Sequence, residues 1–514
     1  MKFALPTSQF LTTGKFKSFL SFSGKNNYLI HLIVCLNLAI TVPLAAILNI
    51  WTDEAYALDT VSENLSYAIT QAINFELQPP FYFILLNIWH GINDSIFWAR
   101  LLSVICIALT IYIVNLLVER YIKNINPVWI VTIFAFNPFT IKVALEIRVY
   151  ALAMLFSALL LLLFFDGYLV DKFKPKARVI YLGLAIISLY SQYYLACLLI
   201  ANALVLFILR RWQALKNYLW GMSLVALCFS PILLFIFNQV STHSNPPEAN
   251  FWQNFVAIQQ SKVQGFVSNF SSLPPSILIC CYLLLFLLLL GLIFTTDLRL
   301  INRNHVAIWT INLTSIIFFI GIIIVTNGYL LFRHTVGIFI VSGFGLFLLL
   351  SLIKYPKLRN LITIFITTIA LLLYAQNLAK NYSILAKAGD WKRVSTHIIN
   401  SEQPQQEILV FTSIAAVELS YYYDGINQII PLPKADEFKT YDLQNYALNN
   451  EAEIVQALTS DRHDLWLVER VNKNCKAFDT NLNCHILENF ISKNYQVTNS
   501  QQFYKSRVRF LQRK

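Results

Sequence analysis

Apolar runs of about 20 residues recur along most of this chain, and that recurrence limits the folds open to it. As an α-helix, a run of that length covers the ~30 Å hydrocarbon core of a bilayer. Such runs lie at 28–50, 96–118, 127–145, 148–165, 218–238, 276–295, 306–326, 333–353 and 360–379. Residues 179–209 form one longer run that contains the polar knot "LYSQYYL". Two short helices meeting near Gln192 fit it better than a single span. The expected fold is a multi-spanning α-helical membrane protein with about eleven transmembrane helices. Composition agrees. Of 514 residues, 57% are hydrophobic and 13% charged, whereas a soluble chain carries about a quarter charged.

The net charge of +12 does not point to nucleic acid, because the basic residues are scattered through short loops between apolar runs. "ERYIKN", "DKFKPKAR", "RRWQALKN", "TTDLRLINRNH" and "KYPKLR" are all net basic. With residues 179–209 read as a hairpin, they share the side of Lys15, Lys17 and Lys25, which is the positive-inside pattern. A single span there would put the later basic loops outside. On the opposite side, residues 51–80 hold Asp53, Glu54, Asp59, Glu63 and Glu76 with no Lys or Arg. "PPFYFILLNIWHGI" is apolar but short, and Pro79 and Pro80 open it; an interfacial or re-entrant segment is expected.

Three regions follow: a cytoplasmic tail at 1–27, a transmembrane region at 28–379 with an outer loop at 51–95, and a polar region at 380–514. The last alternates strand-like "EILVFT" and "DLWLVER" with helix-like "WKRVSTHIIN" and "EAEIVQAL". That alternation predicts a small exoplasmic α/β domain with a partly parallel sheet. It holds Cys475 and Cys484, which an oxidising exterior would permit to pair; two free thiols is the alternative. The other six cysteines lie in or beside apolar runs and read as inert buried residues. No internal repeat, cleaved leader or metal-ligand spacing is evident.

Two stretches bear on chemistry. In "WTDEAYALDT", Asp53 and Glu54 directly follow the first span. Apolar positions from Ala55 to Ile73 recur at helical spacing, predicting one amphipathic helix on the membrane. Acids at its start favour the helix dipole, so capping is one reading of the pair and chemistry is the other. In "NPFTIKVALEIRVYALAML", Lys142, Glu146 and Arg148 interrupt apolar sequence near the outer surface. Ionisable groups there face a protein interior or a wet cavity. An unpaired Arg148 would need an anion; an ion pair involving Glu146 is the alternative. A carboxylate that takes a hydroxyl proton and a cation that holds a phosphate leaving group are what glycosyl transfer from a lipid phosphate needs.

The ordered set formed by "WTDEAYALDT", "QPPFYFILLNIWHGINDSIFWARLLSVI" and "NPFTIKVALEIRVYALAML" resembles the three successive motifs of the GT-C polyprenyl-phosphate-dependent glycosyltransferases. These include the protein O-mannosyltransferases and the lipid A aminoarabinose transferases. The resemblance covers about the first 170 residues, and "YSQYYL" and "LFRHTVGIFI" extend it weakly to about residue 340. It implies an inverting transfer from a polyprenyl-phosphate sugar to a lipid, glycan or protein hydroxyl on the outer face of a plasma membrane. The lipid-linked sugar is then a co-substrate, and no cofactor is implied. Asp53 matches the base, with Glu54 beside it. Arg148, Tyr150 and Arg333 match groups near the donor phosphate. Arg100, Tyr82 and Gln192 match supporting positions. Gln78 and Gln192 stand where many relatives carry a cation or His, and His334 follows Arg333 without the usual Pro. These departures leave the sugar and any divalent metal open. A lipid transporter would instead place charges at mid-membrane in paired broken helices; a non-catalytic scaffold would need no base.

Overall fold

The computed structural model describes residues 27–170, 174–243, 295–326, 336–435, 438, 446–458, 464–471, 476–477 and 480–514. The expected tail, the run at 276–295, Arg333 and Cys475 lie outside them. Helix α1 (Asn27–Ile47) is followed by three short helices, α2 (Thr52–Thr60), α3 (Leu65–Asn74) and α4 (Phe81–His90). Next come α5 (Ile96–Tyr121), α6 (Pro127–Phe136), α7 (Pro138–Ala144) and α8 (Tyr150–Phe164), which runs on through a π-turn at Phe165–Leu169. Further along are α9 (Pro175–Leu189), α10 (Ala196–Ile208), α11 (Trp212–His243), α12 (Arg303–Thr326), α13 (Val336–Ser351) and α14 (Pro356–Tyr382).

Helix breaks follow local chemistry. The Asn126-Pro127 and Asn137-Pro138 steps each start a helix. Asn126 Oδ1 accepts from Val128 N at 3.1 Å and Asn137 Oδ1 from Phe139 N at 2.9 Å, with Pro at the first helical position. The second step divides the run expected as one span at 127–145, and its two helices meet at a 57° bend. The run at 179–209 is a hairpin, as expected, with α9 and α10 meeting at a turn that includes Gln192.

Among the described residues, α1, α5, α8 with its π-turn, and α14 are long and apolar enough to cross a bilayer; the bent pair would add a fifth. The expected count of about eleven is not confirmed among the described residues, which leave out nearly all of the run at 276–295. The chain is an integral membrane protein: Leu32, Leu109, Leu227, Leu313 and Leu372 are all exposed on its helices, an apolar surface that water would not tolerate on this scale. Helix α4, at about 15 Å, is too short to span.

The ends of the bundle differ. At one end the basic loops converge on Asp166, which is 3% exposed. Arg120 Nη1 and Lys174 Nζ reach its carboxylate at 3.2 and 3.0 Å, and Tyr121 also donates to it. Arg178 Nε donates to Gly167 O at 2.7 Å, and Asn304 Nδ2 to Tyr121 O at 3.1 Å. A bridge between Thr296 and Ile353 brings the loop before α14 to this end, and Arg211 Nη1 donates to Tyr168 O at 3.4 Å. At the other end, Phe81 N donates to Tyr190 O at 2.9 Å, so the hairpin turn meets the start of α4. The grouping expected from loop charge is therefore present in the fold.

After α14 the chain forms a five-stranded sheet of order β2-β1-β3-β7-β6. Strands β1 (Glu407–Phe411), β2 (Ile429–Leu432) and β3 (Leu465–Arg470) are parallel; β6 (Tyr495–Phe503) and β7 (Ser506–Arg513) are antiparallel. Strands β4 (Lys476–Ala477) and β5 (Thr480–Asn481) form a separate pair. Strand β1 is apolar on both faces because both are covered. Ile408 and Val410 pack with Trp391, Val394 and Ile398 of α15 (Trp391–Ile399). Leu409 and Phe411 pack with Ile454 of α17 (Glu451–Ala457) and Leu487 of α18 (Cys484–Asn494). Helix α16 (Ser413–Ser420) faces α2. Cys484 is disulfide-bonded.

In a background with the free cysteines replaced by Ser, cysteines at Glu63 and Asn400 should react with a membrane-impermeant maleimide from one side. Cysteines at Lys174 and Arg299 should react only from the other. Labelling of all four from one side would overturn this arrangement.

Candidate active site

The expected amphipathic helix after the first span is two helices, and the first of them is not a surface helix. Asn64 Oδ1 accepts from Tyr67 N at 3.0 Å and starts α3. In α2, Glu54, Ala55, Tyr56, Ala57, Leu58 and Thr60 are all buried. It lies between the helical bundle and the C-terminal domain, so the acid pair is not merely a solvated cap.

Glu54 is 0% exposed. Its Oε1 accepts from Arg100 Nε at 2.9 Å and Ile147 N at 3.1 Å. Its Oε2 accepts from Arg100 Nη2 at 2.9 Å, Lys387 Nζ at 2.8 Å and Trp51 N at 3.3 Å. Burial alone would raise the carboxyl's pKa, but the Arg100 and Lys387 charges hold it down at about 2. Arg100 is equally buried, and Nη1 donates to Ala45 O at 2.9 Å and Leu48 O at 2.7 Å, while Nη2 donates to Asn49 O at 2.9 Å. One guanidinium thereby ties the end of α1 to α2. Lys387 Nζ also donates to Leu145 O at 2.6 Å; burial pulls its pKa down to about 8, with the Glu54 carboxylate opposing.

Asp53 is half-buried in the first turn of α2. Its carbonyl accepts from Arg148 Nη1 at 3.1 Å. Arg148 is not the unpaired guanidinium envisaged, and its partner is Glu76 rather than Glu146: Nη1 lies 2.8 Å from both Glu76 oxygens. Both side chains are 5% exposed. Arg148 Nε is buried and makes no hydrogen bond, and neither does the Tyr82 hydroxyl. Tyr82 lies close enough to interact electrostatically with Arg148, Glu54 and Glu76. Tyr150 is buried at the start of α8 and interacts with Arg148. Glu146 lies 3.8 Å from Lys142; burial raises its pKa, opposed by the Lys142 charge.

Asp53, Glu54, Arg100, Arg148, Tyr82 and Tyr150 thus come together. Gln192 is buried in the hairpin turn, where the neighbouring Tyr190 carbonyl accepts from Phe81 N, beside Tyr82. Sequence reasoning missed Lys387, which lies in an unremarkable stretch after the last apolar run. It saw Glu76 only as one acid of an acidic loop; a buried cation in need of a counter-ion was the signal available. Among the described residues, no three His, Cys, Asp or Glu side chains are grouped to hold a metal ion.

A Glu54→Gln substitution should lower stability by about 3–5 kcal/mol, the usual cost of breaking a buried pair from one side. Because the folded pKa lies below the ordinary carboxyl value, the charged form's contribution is present above about pH 4.5 and is lost as pH falls towards about 2. Thermal unfolding in detergent at neutral pH reads the loss; an unchanged melting temperature would contradict it.

No family model matches the chain, and no curated protein matches it in sequence. Solved structures do match in architecture. ArnT from Cupriavidus metallidurans in the apo state superposes with a TM-score of 0.52 at 11% identity, covering 94% of this chain and 97% of ArnT. The same protein bound to undecaprenyl phosphate gives a TM-score of 0.42 at 11% identity, covering 95% and 98%. Over nearly its whole length, therefore, the chain shares the fold of ArnT in its apo state.

Proposed function

We propose that this protein transfers a sugar from a polyprenyl-phosphate donor to an acceptor hydroxyl at the outer face of the membrane, by an inverting mechanism with Asp53 as base. The observation that carries the reading is the setting of Asp53. It is the half-buried acid of a pair whose other member, Glu54, is wholly engaged by Arg100 and Lys387. Its backbone is held by Arg148 from the opposite side of the loop. A carboxylate fixed in that way and still reachable suits proton removal. The acceptor oxygen attacks the anomeric carbon and its proton passes to Asp53. The bond from that carbon to phosphate oxygen breaks, and polyprenyl phosphate leaves with the electron pair.

In this reading Arg148 stabilises the leaving phosphate, with the Tyr82 hydroxyl and Tyr150 beside it. Arg333 is proposed as a further donor contact on the strength of the sequence resemblance alone. Arg148 must then exchange part of its Glu76 contact for phosphate, for which its planar fork is suited. The Arg148–Glu76 pair also favours a second reading, in which Arg148 is purely structural. The sugar and the acceptor stay open.

Asp53→Asn should fold, bind a short-chain polyprenyl phosphate normally, and lose about 100- to 10,000-fold in transfer. Near-normal turnover by the purified variant would return Asp53 to a capping role. Arg148→Gln should weaken polyprenyl-phosphate binding, and Arg148→Lys should weaken it less. Should Glu76→Gln prove as damaging as Arg148→Gln while lipid-phosphate affinity stays unaltered in both, the structural reading is correct.

A further inference from the structure

The C-terminal domain does more than cover the outer loop. Four residues around Asp53 are each held by a group that follows the last bundle helix. Asn49 Nδ2 donates to Gly389 O at 3.0 Å, and Ile50 N donates to the Tyr422 hydroxyl at 2.7 Å. Lys387 reaches Glu54. Thr52 Oγ1 donates to Glu418 Oε1 at 2.8 Å. Glu418 belongs to α16, is 0% exposed, and pairs with Arg470 at the end of β3. Arg470 also approaches Thr52 Oγ1 at 3.4 Å and lies 5.8 Å from the Trp391 ring.

Burying Glu418 is costly, and the domain's own cores are apolar and do not require it. A desolvated ion pair adds little net stability but restricts geometry strongly. Its hydrogen-bond partner in the loop is Thr52, the residue that precedes Asp53. We propose that Thr52 and the Glu418–Arg470 pair are positioning residues for Asp53, so that the C-terminal domain sets the angle at which the base meets the acceptor. This rests on Asp53 being the base.

Thr52→Val removes the donated hydrogen bond with almost no change in shape, and Thr52→Ser retains it. The full chain would be assayed in lipid nanodiscs against mannosyl, glucosyl and aminoarabinosyl polyprenyl phosphates. Misplacement of a catalytic group by ~1 Å costs roughly 100-fold. Thr52→Val should therefore lower kcat by about 10- to 100-fold, with donor KM and melting temperature little changed, and Thr52→Ser should restore it. In an Asp53→Asn background the same substitution should have almost no effect, because Thr52 acts through Asp53.

Wild-type kcat in Thr52→Val, or an equal loss in the Asp53→Asn background, would overturn the positioning role while leaving Asp53 as base. Full activity of Asp53→Asn, or no turnover of any donor by the wild type, would overturn both. Glu418→Ala deprives the partly exposed Arg470 of its carboxylate partner and is the harsher variant; Thr52→Val keeps the test independent of its folding.

Discussion

The Glu54–Arg100 pair is the contact on which the end of the bundle next to the C-terminal domain depends. Arg100 directs all five of its N–H donors inward, three to carbonyls at and just after the end of α1 (Ala45, Leu48 and Asn49) and two to Glu54. Those carbonyls have no partner within α1 and would otherwise be stranded among apolar side chains. Glu54 in turn gathers α2, the linker before α8 and the segment after α14. A buried ion pair is tolerable only when every donor and acceptor is met, and here the two groups satisfy each other and the chain ends around them.

The opposite end of the bundle solves the same problem with different residues. Asp166 sits among Arg120, Lys174 and the Tyr121 hydroxyl, while Arg178 takes up the Gly167 carbonyl of the π-turn. Between the two ends the helices carry a continuous apolar core. Among the described residues of the bundle, the buried Asp, Glu and Arg side chains lie at these two ends, where Glu54 and Asp166 gather the cations. Near Glu54, the buried Arg148 Nε and Tyr82 hydroxyl make no hydrogen bond, and neither does Arg359 Nε towards the opposite end.

Helix α2 joins the Glu54–Arg100 end to the C-terminal domain. One side of it faces Arg100, and residues at its start reach Glu418 and Tyr422. Its short length and its burial by two separate bodies make its orientation a property of the whole chain. A nine-residue helix in isolation would be marginal. Any rearrangement of the domain against the bundle must move Asp53, which links the packing of the sheet region to the chemistry proposed for the loop.

The sequence by itself determined the membrane class, the grouping of the basic loops, the hairpin at 179–209 and, in the C-terminal domain, strands β1 and β3 and helices α15 and α17. These follow from hydrophobic period, run length and loop charge, which are local properties. Asp53, Glu54, Arg100, Arg148, Tyr82 and Tyr150 were also legible as a group, through the order of their motifs. Which partners they take was decided only by the tertiary structure. Glu76 lies 72 residues from Arg148, and Lys387 lies 333 residues from Glu54. No periodicity carries information over such separations. The break at Asn137-Pro138 was readable in principle, yet the apolar run around it hid the cap. The division of the loop helix at Asn64 was likewise settled by burial: once α2 is enclosed on two sides, its polar face cannot continue into α3, and the chain turns.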